Sequence, residues 1–203
     1  SVARNDKRRG KRPNLVYVFA DQWRAQDAGF AGNNDVITEN IDKLASESLV
    51  FKHTVSCMPV STPYRGSLLT GQYAHTHGLF LNDVTLDPDS VSIGKVYKYD
   101  TGYIGKWHVN GNGRSNYIPE THRQGFDFFK VLECTHNYTH SAYYDNNDPE
   151  KKYWKGYDAF AQTEEAVHYM EEHANGEKPF VLFLSWGPPH SPYEVVPEEF
   201  LNL

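Results

Sequence analysis

Phe180-Val-Leu-Phe-Leu-Ser-Trp186, stopped by Gly187-Pro-Pro-His190, decides the fold. The run is strand-sized, nearly all apolar and closed by a turn, which reads as a buried strand. Just upstream, Asp158 caps a helix running to about Ala174. Phe160, Thr163, Val167, Met170 and Ala174 recur at helical spacing, and Gly176 is its stop. Leu15-Val-Tyr-Val-Phe-Ala20 is a second buried strand, ending at Asp21-Gln22. Thr101–Gly105 is a third, followed at once by Lys106-Trp-His108. Thr38 offers a cap for a helix near Glu39–Ser48 with Ile41, Leu44 and Ala45 on one face, and Leu49–Thr54 is a further strand candidate. Thr62-Pro63 reads as cap and first turn of a short helix, Pro63–Thr70, with Leu68 and Leu69 inward and Gly71 just past its end. Asn110–Lys155 is aromatic, polar and irregular, which predicts long surface loops. Strands alternating with helices predict an α/β fold, a mainly parallel central sheet flanked by helices.

The chain has 203 residues, a formal net charge of −6, 39% hydrophobic residues and two cysteines. That length fits one domain or part of a larger one, large enough to fold without a disulfide framework. No apolar run approaches the roughly 20 residues of a membrane helix, so this stretch carries no membrane span. The acidic balance excludes broad nucleic-acid binding, which needs a basic face. The one basic cluster, Arg4 to Arg12, reads as a solvated arm over residues 1–12.

Chemistry gathers at one edge of the expected sheet. Asp21 and Gln22, Lys106 and His108, and His190 each lie just beyond the C-terminal end of a strand, where ligands of open parallel sheets bind. Ser61 precedes the short helix, whose N-terminus favours an anion, and Arg65 lies in its first turn. A hydroxyl amid Arg, Lys and two His suits attack on a tetrahedral oxyanion ester. Asp21 and Gln22 supply hard oxygen ligands of the kind Ca²⁺ or Mg²⁺ prefers. Each residue alone also has an ordinary turn, cap or loop role. His75-Thr-His77 lacks the supporting ligands of a zinc site and reads as loop or substrate contact. Asn137-Tyr-Thr139 matches a glycosylation acceptor that has meaning only in a eukaryotic secretory context.

At these residues the chain resembles the N-terminal half of a type I sulfatase of the alkaline phosphatase superfamily. The most specific match is Val60-Ser-Thr-Pro-Tyr-Arg-Gly-Ser-Leu-Leu-Thr-Gly71. Others are Arg12-Pro-Asn-Leu15, Ala20-Asp-Gln22, Asn40-Ile-Asp-Lys-Leu44, Gly102-Tyr-Ile-Gly-Lys-Trp-His108 and Pro189-His-Ser-Pro-Tyr193. The resemblance implies that residues 13–203 are the N-terminal portion of the catalytic α/β domain, the rest lying beyond it. It implies that Ser61 is converted to formylglycine by a dedicated maturation enzyme, and that the aldehyde hydrate attacks sulfur. Asp21, Gln22 and Ser61 then hold calcium (or magnesium). Arg65 and Lys106 stabilise charge, His108 deprotonates the hydrate and His190 protonates the leaving alcohol. His77 and Asn82 are candidate substrate contacts. The implied substrate is a sulfated glycan or aryl sulfate, and the implied location periplasmic, secreted or lysosomal. Ser61 stands where relatives with Thr-Pro-Tyr-Arg usually carry Cys, and the segment from Ser92 to Gly102 is short for the family. Two alternatives follow: a phosphatase or phosphodiesterase using Ser61 directly, and an inactive sulfate-binding form.

Overall fold

The computed structural model describes residues 12–96 and 98–201. All of the basic arm except Arg12 lies outside them. Six strands form one sheet in the order β1-β6-β2-β3-β4-β5: β1 (Leu15–Ala20), β2 (Asp100–Lys106), β3 (Phe128–Leu132), β4 (Ala142–Asp145), β5 (Asp148–Tyr153) and β6 (Phe180–Trp186). β1, β6, β2 and β3 run parallel, and β4 and β5 return antiparallel at one edge. The expected α/β architecture with a mainly parallel sheet is therefore present.

The period-two alternation of β6 places its side chains in both halves of the core. Val181 and Phe183 pack with Leu69, Tyr103, Trp107 and Phe129 on one face; Leu182 and Leu184 pack with Ile104, Ala166 and Tyr169 on the other. Helix α2 (Ser61–Thr70) contributes Leu69 to the first face, and α4 (Asp158–His173) contributes Ala166 and Tyr169 to the second. The other helices are α1 (Glu39–Ser46), α3 (Ala74–His77) and α5 (Glu198–Leu201).

Several expectations need correction. The Asn110–Lys155 region holds β3, β4 and β5 rather than loops alone. Their charged stretches, such as Asp148-Pro-Glu-Lys-Lys-Tyr153, suit the polar sheet edge that β5 occupies. Leu49–Thr54 forms no strand; Leu49 and Phe51 are exposed, with no strand beside them among the described residues. β1 is not fully buried: it lies at an edge, with Tyr17 and Phe19 against the core and Leu15, Val16 and Val18 exposed. In α4 the buried positions are Asp158, Gln162, Ala166 and Tyr169, while Phe160 and Val167 are exposed. Of the residues expected to face inward, Met170 does pack against the core, but the inward face is rotated from the expected one because it includes two polar residues. Asp158 is the first helical residue, Tyr157 being the cap.

Candidate active site

Helix α2 begins at Ser61, with Val60 as its cap, so the expected start at Pro63 moves upstream. Ser61 thus sits in the first turn and Arg65 one turn later on the same face. The Arg65 Nε donates to Ser61 Oγ at 3.1 Å. Thr62 does not cap. Its hydroxyl donates to the His108 carbonyl at 2.7 Å, and its amide donates to the Asn82 side-chain oxygen at 3.0 Å. Asn82 therefore satisfies one of the amides that a helix start leaves unpaired. Gly71 ends the helix in the left-handed conformation expected there.

Strand β2 delivers the next group. Gly105, at φ +102°, lets the strand twist against β6; a Cβ there would lie 2.1 Å from the Ser185 carbonyl oxygen. Beyond it, Lys106 Nζ donates to Asp21 Oδ2 at the end of β1. Arg65 Nη2 approaches the same oxygen at 3.6 Å. Burial raises the Asp21 pKa, but the charges of Arg65, Lys106 and His190 outweigh it and hold the carboxyl below its usual range. Arg65 is 2% exposed, and its Nη1 donates to the Lys106 carbonyl at 2.6 Å and the Ser185 hydroxyl at 2.8 Å. Its fork is locked by the ends of β2 and β6 at once.

His108 links two sides of the site. Its Nδ1 lies 2.9 Å from Ser61 Oγ, and its Nε2 lies 3.1 Å from Asp83 Oδ1. A carboxylate only accepts, so Nε2 carries the proton and Nδ1 presents a lone pair to the Ser61 hydroxyl. Burial, then the charge of Lys106, pushes the His108 pKa down to about 4, against the pull of Asp83. Asp83 is gripped by Arg114, whose Nε and Nη2 donate at 3.0 and 2.7 Å and bring its pKa down to about 2. Behind this loop, Glu133 accepts the Asn110 and Gly111 amides at 2.8 and 2.9 Å. Burial raises its pKa to about 6.

His190, past β6, lines the same cleft as Asp21, Gln22, Ser61, Arg65 and Asn82, a space of about 450 Å³. Its Nδ1 donates to the Ser191 carbonyl at 2.7 Å, leaving Nε2 as the nitrogen available to a substrate. The residues singled out from sequence thus converge, with one exception. His77 is buried, and both ring nitrogens are engaged, by the Ser67 hydroxyl at 3.0 Å and the Leu79 amide at 3.1 Å. It supports the α2–α3 turn and does not line the cleft. Sequence reasoning missed Asp83, Arg114 and His136, whose ring stacks on His190.

Asp21, Gln22 and Ser61 supply hard oxygens on the cleft wall, the donor type calcium or magnesium takes. The set is partial for such an ion, and no cluster of three or more His, Cys, Asp or Glu suited to a metal occurs among the described residues.

The sulfatase family model matches residues 13–202. The chain belongs to the sulfatase family. An ulvan-active sulfatase of Formosa agariphila is 44% identical over 95% of this chain and 38% of its own length. The crystal structure of yidJ from Bacteroides fragilis superposes with a TM-score of 0.87 at 29% identity, over 94% of this chain and 47% of that one. BT4656, solved with its substrate D-glucosamine-2-N,6-O-disulfate, gives a TM-score of 0.76 at 29% identity, over 89% of this chain and 35% of that one. This sulfatase-family chain spans less than half the length of these three proteins. No helix among its described residues is long and apolar enough to cross a membrane.

Proposed function

We propose that the full-length protein is a sulfuric ester hydrolase that removes O-sulfate from a carbohydrate. One observation carries this reading: Ser61 Oγ lies within hydrogen-bond reach of both Arg65 Nε and His108 Nδ1 on the wall of the cleft it shares with Asp21, Gln22 and His190. Family membership turns an oxyanion-ester site into a sulfate-ester site, and the names of the ulvan-active and glucosamine-disulfate relatives support a glycan substrate.

In this reading Arg65 and Lys106 stabilise the residue at position 61 and the sulfate charge that develops in the transition state. His108, neutral above about pH 4, takes the proton from the oxygen at position 61 through Nδ1. His190 delivers a proton to the leaving alcohol from Nε2. Conversion of Ser61 to formylglycine by a maturation enzyme would supply a hydrated aldehyde, whose second hydroxyl gives a route for sulfate release that plain serine lacks. Asp21, Gln22 and position 61 would hold a calcium ion, which would add positive charge beside the sulfate. Residues 13–203 are then the N-terminal portion of the catalytic domain, and the proposed location is periplasmic or secreted.

The reading is tested by the mass of the tryptic peptide His53–Arg65 from protein made in its native host, together with turnover of sulfate and phosphate esters of one aryl alcohol. A peptide lighter by two hydrogens with sulfate turnover is the expected result. An unmodified peptide with phosphate turnover alone would refute it. That outcome would favour a second reading, a phosphatase or phosphodiesterase. The Ser61–His108–Asp83 relay supports it, since such a relay could activate an unmodified hydroxyl.

A further inference from the structure

The segment leaving β3 braces the loop that carries His190. The His136 ring stacks on the His190 ring at 4.5 Å between centroids and 22° between planes. Tyr138 stands edge-on to His136 at 6.5 Å and 89°. The Tyr138 hydroxyl donates to the His190 carbonyl at 2.9 Å. Its ring packs so closely on Gly187 that a Cβ there would lie 2.7 Å away. Tyr138 is itself fixed, being 1% exposed, with its carbonyl accepting the Asp158 amide at 2.8 Å. Backbone, ring face and Nδ1 of His190 are therefore each held, and what stays available is Nε2.

We propose that His136 is a positioning residue for His190, its imidazole face holding the His190 ring so that Nε2 meets the oxygen of the leaving alcohol. The inference deepens the sulfatase reading and rests on it. In the step concerned, the oxygen at position 61 bonds to sulfur and gives its proton to His108 Nδ1. The bond from sulfur to the alcohol oxygen breaks, and that oxygen keeps the electron pair and takes the proton from His190 Nε2. Like charges on stacked rings repel, so the geometry disfavours protonating both at once. Burial, then the charges of His190, Lys106 and Arg114, hold the His136 pKa below the usual histidine range, with Asp21 opposing.

The test uses the full-length matured enzyme with phenyl sulfate, a poor leaving group, and 4-nitrophenyl sulfate, a good one that needs little protonation. Misplacing a general acid costs on the order of 10- to 100-fold. His136→Ala is expected to lose about that much kcat on phenyl sulfate and less than about threefold on 4-nitrophenyl sulfate. His136→Phe keeps a flat ring for the stack and should recover most of the phenyl sulfate loss. It also guards against a fold defect in the alanine variant. Equal losses on both substrates, or no rescue by Phe, would overturn the role of His136 while leaving the sulfatase reading intact. A wild-type enzyme that turns over neither aryl sulfate nor a sulfated oligosaccharide would overturn both.

Discussion

Replacing Asp83 by Asn tests the relay behind Ser61 most directly. Asp83 Oδ1 accepts the His108 Nε2–H at 3.1 Å, and this bond decides that Nδ1, 2.9 Å from Ser61 Oγ, is the basic nitrogen. An asparagine keeps the size but presents either an amide donor or a weaker neutral acceptor, so it no longer commands the tautomer. A hydrogen bond to a charged group contributes about 1.5–3 kcal/mol, which corresponds to a fall in kcat of roughly 10- to 150-fold. Stability should change far less. The Arg114–Asp83 pair is 50% and 45% exposed, and such pairs contribute about 0.2–1 kcal/mol. Asp83 stays ionised down to about pH 2, so the effect should be uniform across the working pH range. The assay is steady-state turnover of an aryl sulfate by the full-length matured protein, alongside urea unfolding. A kcat within threefold of wild type at unchanged stability would show that Asp83 merely anchors Arg114. So would an equal loss from removing Arg114 alone.

Three further substitutions probe the scaffold. Asp158 is 1% exposed, and burial raises its pKa from 3.8 to about 7 against hydrogen bonds from Ser141 and the Ala159 amide. The folded chain therefore keeps a proton that the unfolded chain releases, and stability should fall as pH rises through that window and level off above it. Asp158→Asn should flatten this dependence in unfolding curves taken between pH 4 and pH 8, and an unchanged slope would assign it elsewhere. Gly105→Ala forces a side chain against the Ser185 carbonyl at a left-handed φ, and should cost more than about 2 kcal/mol in urea unfolding. A near-neutral change would mean that β2 and β6 separate easily. Arg65→Lys keeps the charge but cannot hold Ser61, Ser185 and the Lys106 carbonyl together, so it should lose about 1–3 kcal/mol of stability as well as turnover. Full stability in the lysine variant would contradict the buried fork.

Much of the site was legible because parallel strands make it so. Asp21 and His190 follow an apolar strand and Lys106 ends one, and strands that share a direction end at one edge. Ser61 and Arg65 were legible because Thr62-Pro63 marks a helix start, whose N-terminus favours an anion beside a hydroxyl, although the helix itself begins at Ser61. The rest carried no periodic signal. Asp83 lies in Leu81-Asn-Asp-Val84, a composition that only says turn, and its partners Arg114 and His108 reach it from 31 and 25 residues away. His136 stands in a polar segment where one histidine among several looks like solvent-facing loop. The β4–β5 hairpin escaped notice because a strand at a polar edge needs no apolar alternation. In α4 the inward positions Asp158 and Gln162 are the sort of residue a hydrophobicity pattern assigns to solvent.

The backbone shows why local rules failed where they did. Gln22, Asp83 and His108 are not glycines, yet they adopt φ values of 56°, 65° and 56°. A side chain in that region costs roughly 1–3 kcal/mol and persists only where its surroundings over-determine it. Around two of these residues the surroundings are visible. His108 is held through its carbonyl by Thr62 and through both ring nitrogens by Ser61 and Asp83, and Asp83 is gripped in turn by Arg114. Each of these partners comes from a distant part of the chain, so no local window of sequence contains the reason for the strained residue. β2 ends at Lys106, and the left-handed φ of His108 two residues on accompanies the contact of its ring with Ser61. A conformation that a propensity argument would count as a defect thus sits where the imidazole meets the Ser61 hydroxyl. His108→Gly and His108→Ala both remove the imidazole, but only glycine is at ease at this φ, so urea unfolding should find the glycine variant more stable by about 1 kcal/mol, and equal stabilities would contradict the strain.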